Sequence, residues 1–209
     1  MTVIEKLASS LERNDEGPNI ELAEQISNNN DELAVKELIE LLSSKNKVIQ
    51  NDCIKVLYEI GERTPSLVSN YSKEFITLLE SKNNRLQWGA MTALNTITFN
   101  VPEVIYLALP KILSAAEKGS VITKDYAVAI LIKLCTLKEY HNYAFSFLIE
   151  QLIKSPTNQL PMYAERALPI ITSENKQLFI DALRLRLNDI EKETKRKRVE
   201  KVLKKCEVL

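Results

Sequence analysis

Glycine is scarce in this chain, four residues in 209, and proline adds only seven. Turn formers at that density do not serve an all-β fold, and they leave no glycine-rich loop to cradle a phosphate. Histidine occurs once, at His141, so there is no Cys/His zinc set and no HExxH, and no GxSxG elbow occurs either. The spacing places His141 at a helix start, as a solvated residue without a catalytic role. The three cysteines, Cys53, Cys135 and Cys206, are odd in number and far apart, which gives neither a disulfide framework nor a CxxC metal motif. Each sits at an apolar position of a helical pattern, so a buried, unreactive thiol in a reducing compartment is expected. Excess charge is lacking too: 28 bases balance 28 acids, a poor composition for coating nucleic acid. The longest uninterrupted apolar run, Tyr126 to Ile132, is too short to span a bilayer, and Glu5 and Lys6 interrupt the apolar start where a signal peptide would have none. Together these absences predict a cytoplasmic protein with no metal, no cofactor and no catalytic residue.

What is present is a helical composition, 45% hydrophobic and 27% charged, rich in Leu, Ile, Ala, Glu and Lys. It is also repetitive. Glu37-Leu38-Ile39-Glu40-Leu41-Leu42-Ser43-Ser44-Lys45-Asn46 aligns with Glu74-Phe75-Ile76-Thr77-Leu78-Leu79-Glu80-Ser81-Lys82-Asn83, a shift of 37 residues. Cys53, Ala90, Ala127 and Ala164 keep that shift, as do Leu57, Leu94, Leu131 and Leu168, and Ile60, Ile97, Leu134 and Ile171. Within a unit these fall at i, i+4 and i+7, the buried stripe of a helix, with the small residue where a neighbouring backbone comes nearest. Asn46, Asn83, Ser120 and Thr157 recur in the same register and carry the side-chain oxygen of an N-cap. Pro65 and Pro102 suit the first turn of the other helix of each unit.

The pattern predicts paired helices at 2–13 and 19–28, 31–44 and 47–61, 65–82 and 84–98, 102–118 and 121–136, 139–154 and 158–172, and 174–191 and 193–206. Pro110 should bend the helix over 102–118, and Pro169 should shorten the one over 158–172. The result is one all-α domain over 1–209: a shortened capping unit at 1–30, four regular repeats over 31–172, and capping helices over 173–209.

Helix pairs of this length, repeated head to tail, resemble the HEAT and armadillo-like repeat families. The residues that carry the resemblance are the pairs Leu41-Leu42 and Leu78-Leu79, each followed by Cys53 or Ala90 and then by Leu57 or Leu94. The resemblance implies an α-α superhelix, a right-handed solenoid of about five to six hairpins whose second helices line a concave face, used most often as a protein-binding scaffold. The Asp and Arg that ladder between HEAT units have no match here. Their places are taken by Ser44 and Gln50, Ser81 and Gln87, and Lys118 and Lys124, so amide and hydroxyl contacts are expected instead.

Helical geometry predicts the groove. With the buried stripe centred on 53, 56, 57 and 60, the opposite face holds 51, 55, 58 and 62 and their equivalents. That face carries Tyr58, Trp88, Phe99, Ile132 and Met162 as apolar anchors, with Lys55, Asp125 and Arg166 to fix register. Aromatic content on an outward face suits capture of a protein segment. An alternative comes by resemblance alone: DNA alkylation repair glycosylases are HEAT-like solenoids that cradle DNA between tryptophans and a catalytic Asp, and Trp88 and Asp125 lie at equivalent positions of adjacent units. The chain's ends differ in charge, residues 1–44 holding ten acids against three bases and residues 192–209 eight bases against three acids. The basic run Lys195, Arg196, Lys197 and Arg198 reads as the solvated face of a capping helix, with a nucleic-acid contact as the other reading.

Overall fold

The computed structural model describes residues 2–208; Met1 and Leu209, the outer ends of the expected domain, lie outside them. Thirteen α-helices follow in order: α1 (Gly17–Asn29), α2 (Glu32–Leu41), α3 (Lys47–Arg63), α4 (Ser66–Ser69), α5 (Ser72–Leu78), α6 (Asn84–Thr96), α7 (Pro102–Leu107), α8 (Leu109–Lys118), α9 (Val121–Cys135), α10 (His141–Lys154), α11 (Leu160–Ala167), α12 (Lys176–Leu187) and α13 (Glu193–Glu207). Short 3-10 turns occupy Val3–Lys6 and Leu168–Ile170, and there is no strand among the described residues. The chain divides into two compact units, Met1–Ala127 and Val128–Leu209.

The start signals act as their chemistry dictates. The Asn46 side chain accepts from the Val48 amide at 2.9 Å and the Asn83 side chain from the Arg85 amide at 3.1 Å, capping α3 and α6. Ser120 accepts from the Thr123 amide at 3.3 Å. Thr157 departs from the pattern, because α11 starts three residues later with Pro161 in its first turn, where a missing N–H leaves no bond unmade. Eleven of the twelve stripe positions are buried and Leu168 is half-buried. Pro169 stands in the 3-10 turn that ends α11 early.

Two expected single helices are broken. The segment 65–82 divides into α4 and α5, and 102–118 divides at Ala108, two residues before Pro110 in the first turn of α8. These units therefore carry three helices each, the armadillo count rather than the two of a plain hairpin repeat. The helix expected over 2–13 is replaced after Lys6 by irregular turns. Asp52 Oδ2 accepts from the Ser9 amide at 2.9 Å, Asp52 Oδ1 accepts from Asn19 Nδ2 at 2.8 Å, and Asn19 Oδ1 accepts from the Ala8 amide at 3.0 Å. Side chains of α3 and α1 thus take the amides that helical bonding would need.

In the first unit α3 lies against α1, α2 and α6. Two glycines set how closely α3 and α6 approach. A Cβ on Gly89 would stand 2.6 Å from Ile54 Cγ1, and one on Gly61 would stand 2.2 Å from Thr96 Oγ1. Amides join the same neighbours: Asn83 Nδ2 donates to Gln50 Oε1 at 3.1 Å and to Asn51 Oδ1 at 3.0 Å, and Gln50 Nε2 donates to the Ser44 carbonyl at 2.8 Å. The ladder positions are filled by the amide and hydroxyl groups that the sequence offers.

In the second unit α10 packs on α12, and α13 on α11 and α12. Arg186 closes the end of α10, its Nη1 donating to the carbonyls of Ser155 at 3.0 Å and Leu152 at 3.4 Å, and to that of Ile153. A guanidinium there meets the carbonyls left open by the last turn and the negative end of the helix dipole. His141 is half-buried rather than solvated. Its Nδ1 lies 2.5 Å from the Cys135 carbonyl, its Nε2 lies 3.3 Å from Asn175 Nδ2, and its ring stacks on Phe145. All three cysteines are buried and free.

Candidate binding face and its charge cluster

The second helices α3 and α6 carry the residues expected to line a groove, and most of them are less open than a fully outward stripe. Lys55 is 6% exposed, and Tyr58, Thr92 and Asn95 are buried. Trp88 and Asn51 are half-buried, Glu62 is exposed, and Phe99 is 54% exposed. The physical reason is lateral packing: α3 has α1 on one flank and α6 on the other, so its burial extends from Cys53 through Tyr58. Asp125 is half-buried on α9. In the second unit Ile132 and Met162 are half-buried and Arg166 is exposed.

The buried lysine organises a cluster. Lys55 Nζ lies 2.8 Å from Glu16 Oε2 and 2.8 Å from Glu59 Oε1. Glu59 also pairs with Arg63 at 2.6 Å, and the other oxygen of Glu16 pairs with Arg85 Nη2. Each cation stands over a ring, Lys55 at 4.9 Å from the Tyr58 centroid and Arg85 at 4.5 Å from that of Trp88. The two rings are 5.9 Å apart and tilted by 45°. Desolvated cation–ring pairs of this kind contribute up to about 2 kcal/mol each.

The cluster stays ionised. The hydrogen bond from Lys55 is the main reason that the Glu16 carboxyl lies below its ordinary range, although partial burial opposes it. Burial works to raise Glu59, but Lys55 and Arg63 together outweigh it and the net shift is downward. Burial likewise works to neutralise Lys55, and the two carboxylates reverse that, so its pKa rises. Burial raises the Tyr58 phenol. Carboxylates held charged by cations are poor proton donors. Among the described residues no group of three or more His, Cys, Asp or Glu is placed to hold a metal ion.

Four members of this cluster are absent from the groove drawn from sequence: Glu16, Glu59, Arg63 and Arg85. Three were signalled locally. Lys55, Glu59 and Arg63 are spaced i, i+4, i+8 on one helix, and Arg85 stands three residues before Trp88. Glu16 comes from a turn 39 residues away from Lys55, and no local spacing announces it.

The basic C-terminal run is largely engaged within the chain. Lys195 Nζ donates to Asn158 Oδ1 at 2.5 Å, Lys197 pairs with Glu193 at 2.7 Å, and Arg198 pairs with Glu165 of α11 at 2.6 Å. Arg196 stands 4.0 Å from Glu200. Lys201, Lys204 and Lys205 are the exposed lysines of α13 that form no direct ion pair among the described residues.

No family model matches the chain. An uncharacterised protein of Methanocaldococcus jannaschii is 31% identical over 116 residues, which are 53% of this chain and 55% of the relative. The chain thus spans about half the length of the curated relative it matches. Solved structures speak to the fold. Two engineered proteins, 17% and 18% identical, superpose with TM-scores of 0.64 over 100% of this chain and 98% and 100% of theirs. A designed armadillo repeat protein in complex with the peptide (KR)4, 15% identical, superposes with a TM-score of 0.65 over 88% of this chain and 85% of its own. The chain is therefore an all-α protein of the helical-repeat class. Within that class its fold is armadillo-like, in agreement with the three-helix units. Among the described residues no helix is long and apolar enough to cross a membrane.

Proposed function

We propose that this protein is a non-catalytic binding module that captures a protein segment on the concave side of its first unit, along the face built by α3 and α6. The observation that supports this reading is a half-buried Trp88 on α6 and an exposed Phe99 in the turn that follows that helix. Exposed aromatics next to fixed charges match the composition of binding hot spots. The designed armadillo protein solved with (KR)4 offers a precedent for peptide capture on this fold. In the second unit, taken by itself, Ile132, Met162 and Arg166 are the candidate residues of the corresponding face on α9 and α11.

The DNA-glycosylase alternative fares worse on charge. Its groove cations would be Lys55 and Arg166; Lys55 is already neutralised by Glu16 and Glu59, and the one exposed arginine that remains leaves little attraction for phosphate. The test uses peptides selected on the wild-type protein from a displayed random library. Truncating an aromatic hot spot costs about 2 kcal/mol or more, so the Trp88→Ala, Phe99→Ala double variant should bind them roughly thirtyfold more weakly by fluorescence anisotropy. An unchanged affinity, with an unchanged thermal melt, would discard the proposed face.

A further inference from the structure

The cluster of Lys55, Arg85, Tyr58 and Trp88 already holds a carboxylate, and that carboxylate belongs to the chain itself. Glu16 occupies the turn before α1, yet the helix start makes no use of its side chain, which forms no cap bond. Asp15 does that work instead, accepting from the Gly17 amide at 2.9 Å while Arg13 clamps it at 2.8 Å. The turn keeps its shape without Glu16.

Exposure separates the two sides of the contact. The Glu16 side chain is 46% exposed, whereas that of Lys55 is 7% exposed. Withdrawing Glu16 leaves Lys55 its bond to Glu59 and leaves Arg85 with no other ion pair among the described residues. Three cations, Lys55, Arg63 and Arg85, would then face one carboxylate. Arg85 also has donor capacity left over. It meets Glu16 through Nη2, and its Nε–H is buried with no hydrogen-bond partner among the described residues. A carboxylate seated side-on takes Nε and Nη together, the bidentate geometry in which arginine binds it most strongly. Tyr58 is buried behind Lys55 and Trp88 half-buried behind Arg85, and the lower local dielectric on that side strengthens the attraction.

We propose that Lys55 and Arg85, backed by Tyr58 and Trp88, form a recognition site for a Glu or Asp side chain of the bound protein segment, and that Glu16 fills this site in cis until the segment displaces it. The inference rests on the binding face proposed above and adds the chemistry of its partner: an acidic stretch carrying apolar residues to meet Trp88 and Phe99. Occupation by Glu16 lowers the apparent affinity for such a segment by the fraction of molecules in which the site is closed.

The experiment follows a fluorescein-labelled peptide of alternating Glu and Leu by anisotropy, with Ser/Leu and Lys/Leu peptides alongside. Couplings of this kind span about five- to 150-fold, and Glu16→Gln should tighten binding of the Glu/Leu peptide within that range. Arg85→Gln in the same background should abolish the gain, and Arg85→Lys, which keeps the charge without the fork, should fall between. Glu74→Gln removes an exposed acid of α5, away from the face built by α3 and α6, and it controls for general charge. Circular dichroism melts establish that each variant is folded; if Arg85→Gln is not, Arg85→Lys carries the comparison. A gain no larger than that of Glu74→Gln, or one that survives loss of Arg85, overturns the proposal. If the Ser/Leu or Lys/Leu peptide binds and Trp88→Ala weakens it while Glu16→Gln leaves the Glu/Leu peptide unaffected, the acidic site falls and the binding face stands. If no peptide binds any variant, both fall.

Discussion

Gly89 gives the sharpest test of how the first unit is packed. Alanine is the better helix former by about 1 kcal/mol, so at an open site in α6 Gly89→Ala would stabilise the protein. Here the new methyl would meet Ile54 Cγ1 at 2.6 Å, a separation that real side chains essentially never show, and Cγ2 at a tight 3.1 Å. Ile54 cannot yield easily, because it is fully buried and its branched side chain has one strongly preferred rotamer in a helix. Overpacking costs about 1–3 kcal/mol, which offsets the propensity gain and leaves a net loss of up to about 2 kcal/mol. For a chain of this size that corresponds to a melting temperature lower by up to roughly 8 °C. The sign should reverse in the Ile54→Ala background, where both clashing carbons are gone and the methyl fills part of the void. Thermal and urea unfolding of the four proteins in this double-mutant cycle read the result directly. Stabilisation by Gly89→Ala in the wild-type background, or the same sign in both backgrounds, would refute a glycine-enforced approach of α3 and α6.

Two further outcomes follow from the titrating groups. Glu16 and Glu59 are held below their ordinary value of 4.5, so they bind fewer protons folded than unfolded. Their contribution is fully present above about pH 4.5 and is lost as the pH falls through the lower folded values. The urea midpoint of the Glu16→Gln, Glu59→Gln variant should lie below that of the wild type near neutrality and converge on it in acid; a constant gap would contradict the ion-pair geometry. Burial pushes the Cys53 and Cys135 thiols up to about 12 and also raises Cys206. Native protein at about pH 8, a usual pH for a thiol assay, should leave Ellman's reagent unreacted, whereas denatured protein should titrate three thiols. Rapid reaction of the native form would show a thiol open to solvent.

The local code of this fold was readable. Asn46 and Asn83 cap the helices they introduce, Pro169 ends one, and the stripe from Cys53 to Ile171 is buried or half-buried throughout. What escaped depends on groups far apart in the chain. Asp52 and Asn19 capture the amides of Ala8 and Ser9, and so prevent a helix that the apolar spacing of the first residues favours. The burial of Lys55 and Tyr58 required knowing how helices pack side by side, since a helical wheel gives the azimuth of a residue but not the width of its neighbours. The cluster partners divide the same way: Glu59 and Arg63 lay within one helical face of Lys55, while Glu16 needed the fold to bring it there.

The amide joint between Asn83, Gln50 and Asn51 has a consequence for how such a protein responds to its surroundings. Neutral amides neither titrate nor gather counter-ions, so added salt or mild acid leaves this connection between consecutive repeats intact. Those same conditions act on Glu16, Lys55 and Arg85, where every interaction carries charge. Ionic strength should therefore tune the grip of the proposed recognition surface while the framework beneath it holds its shape.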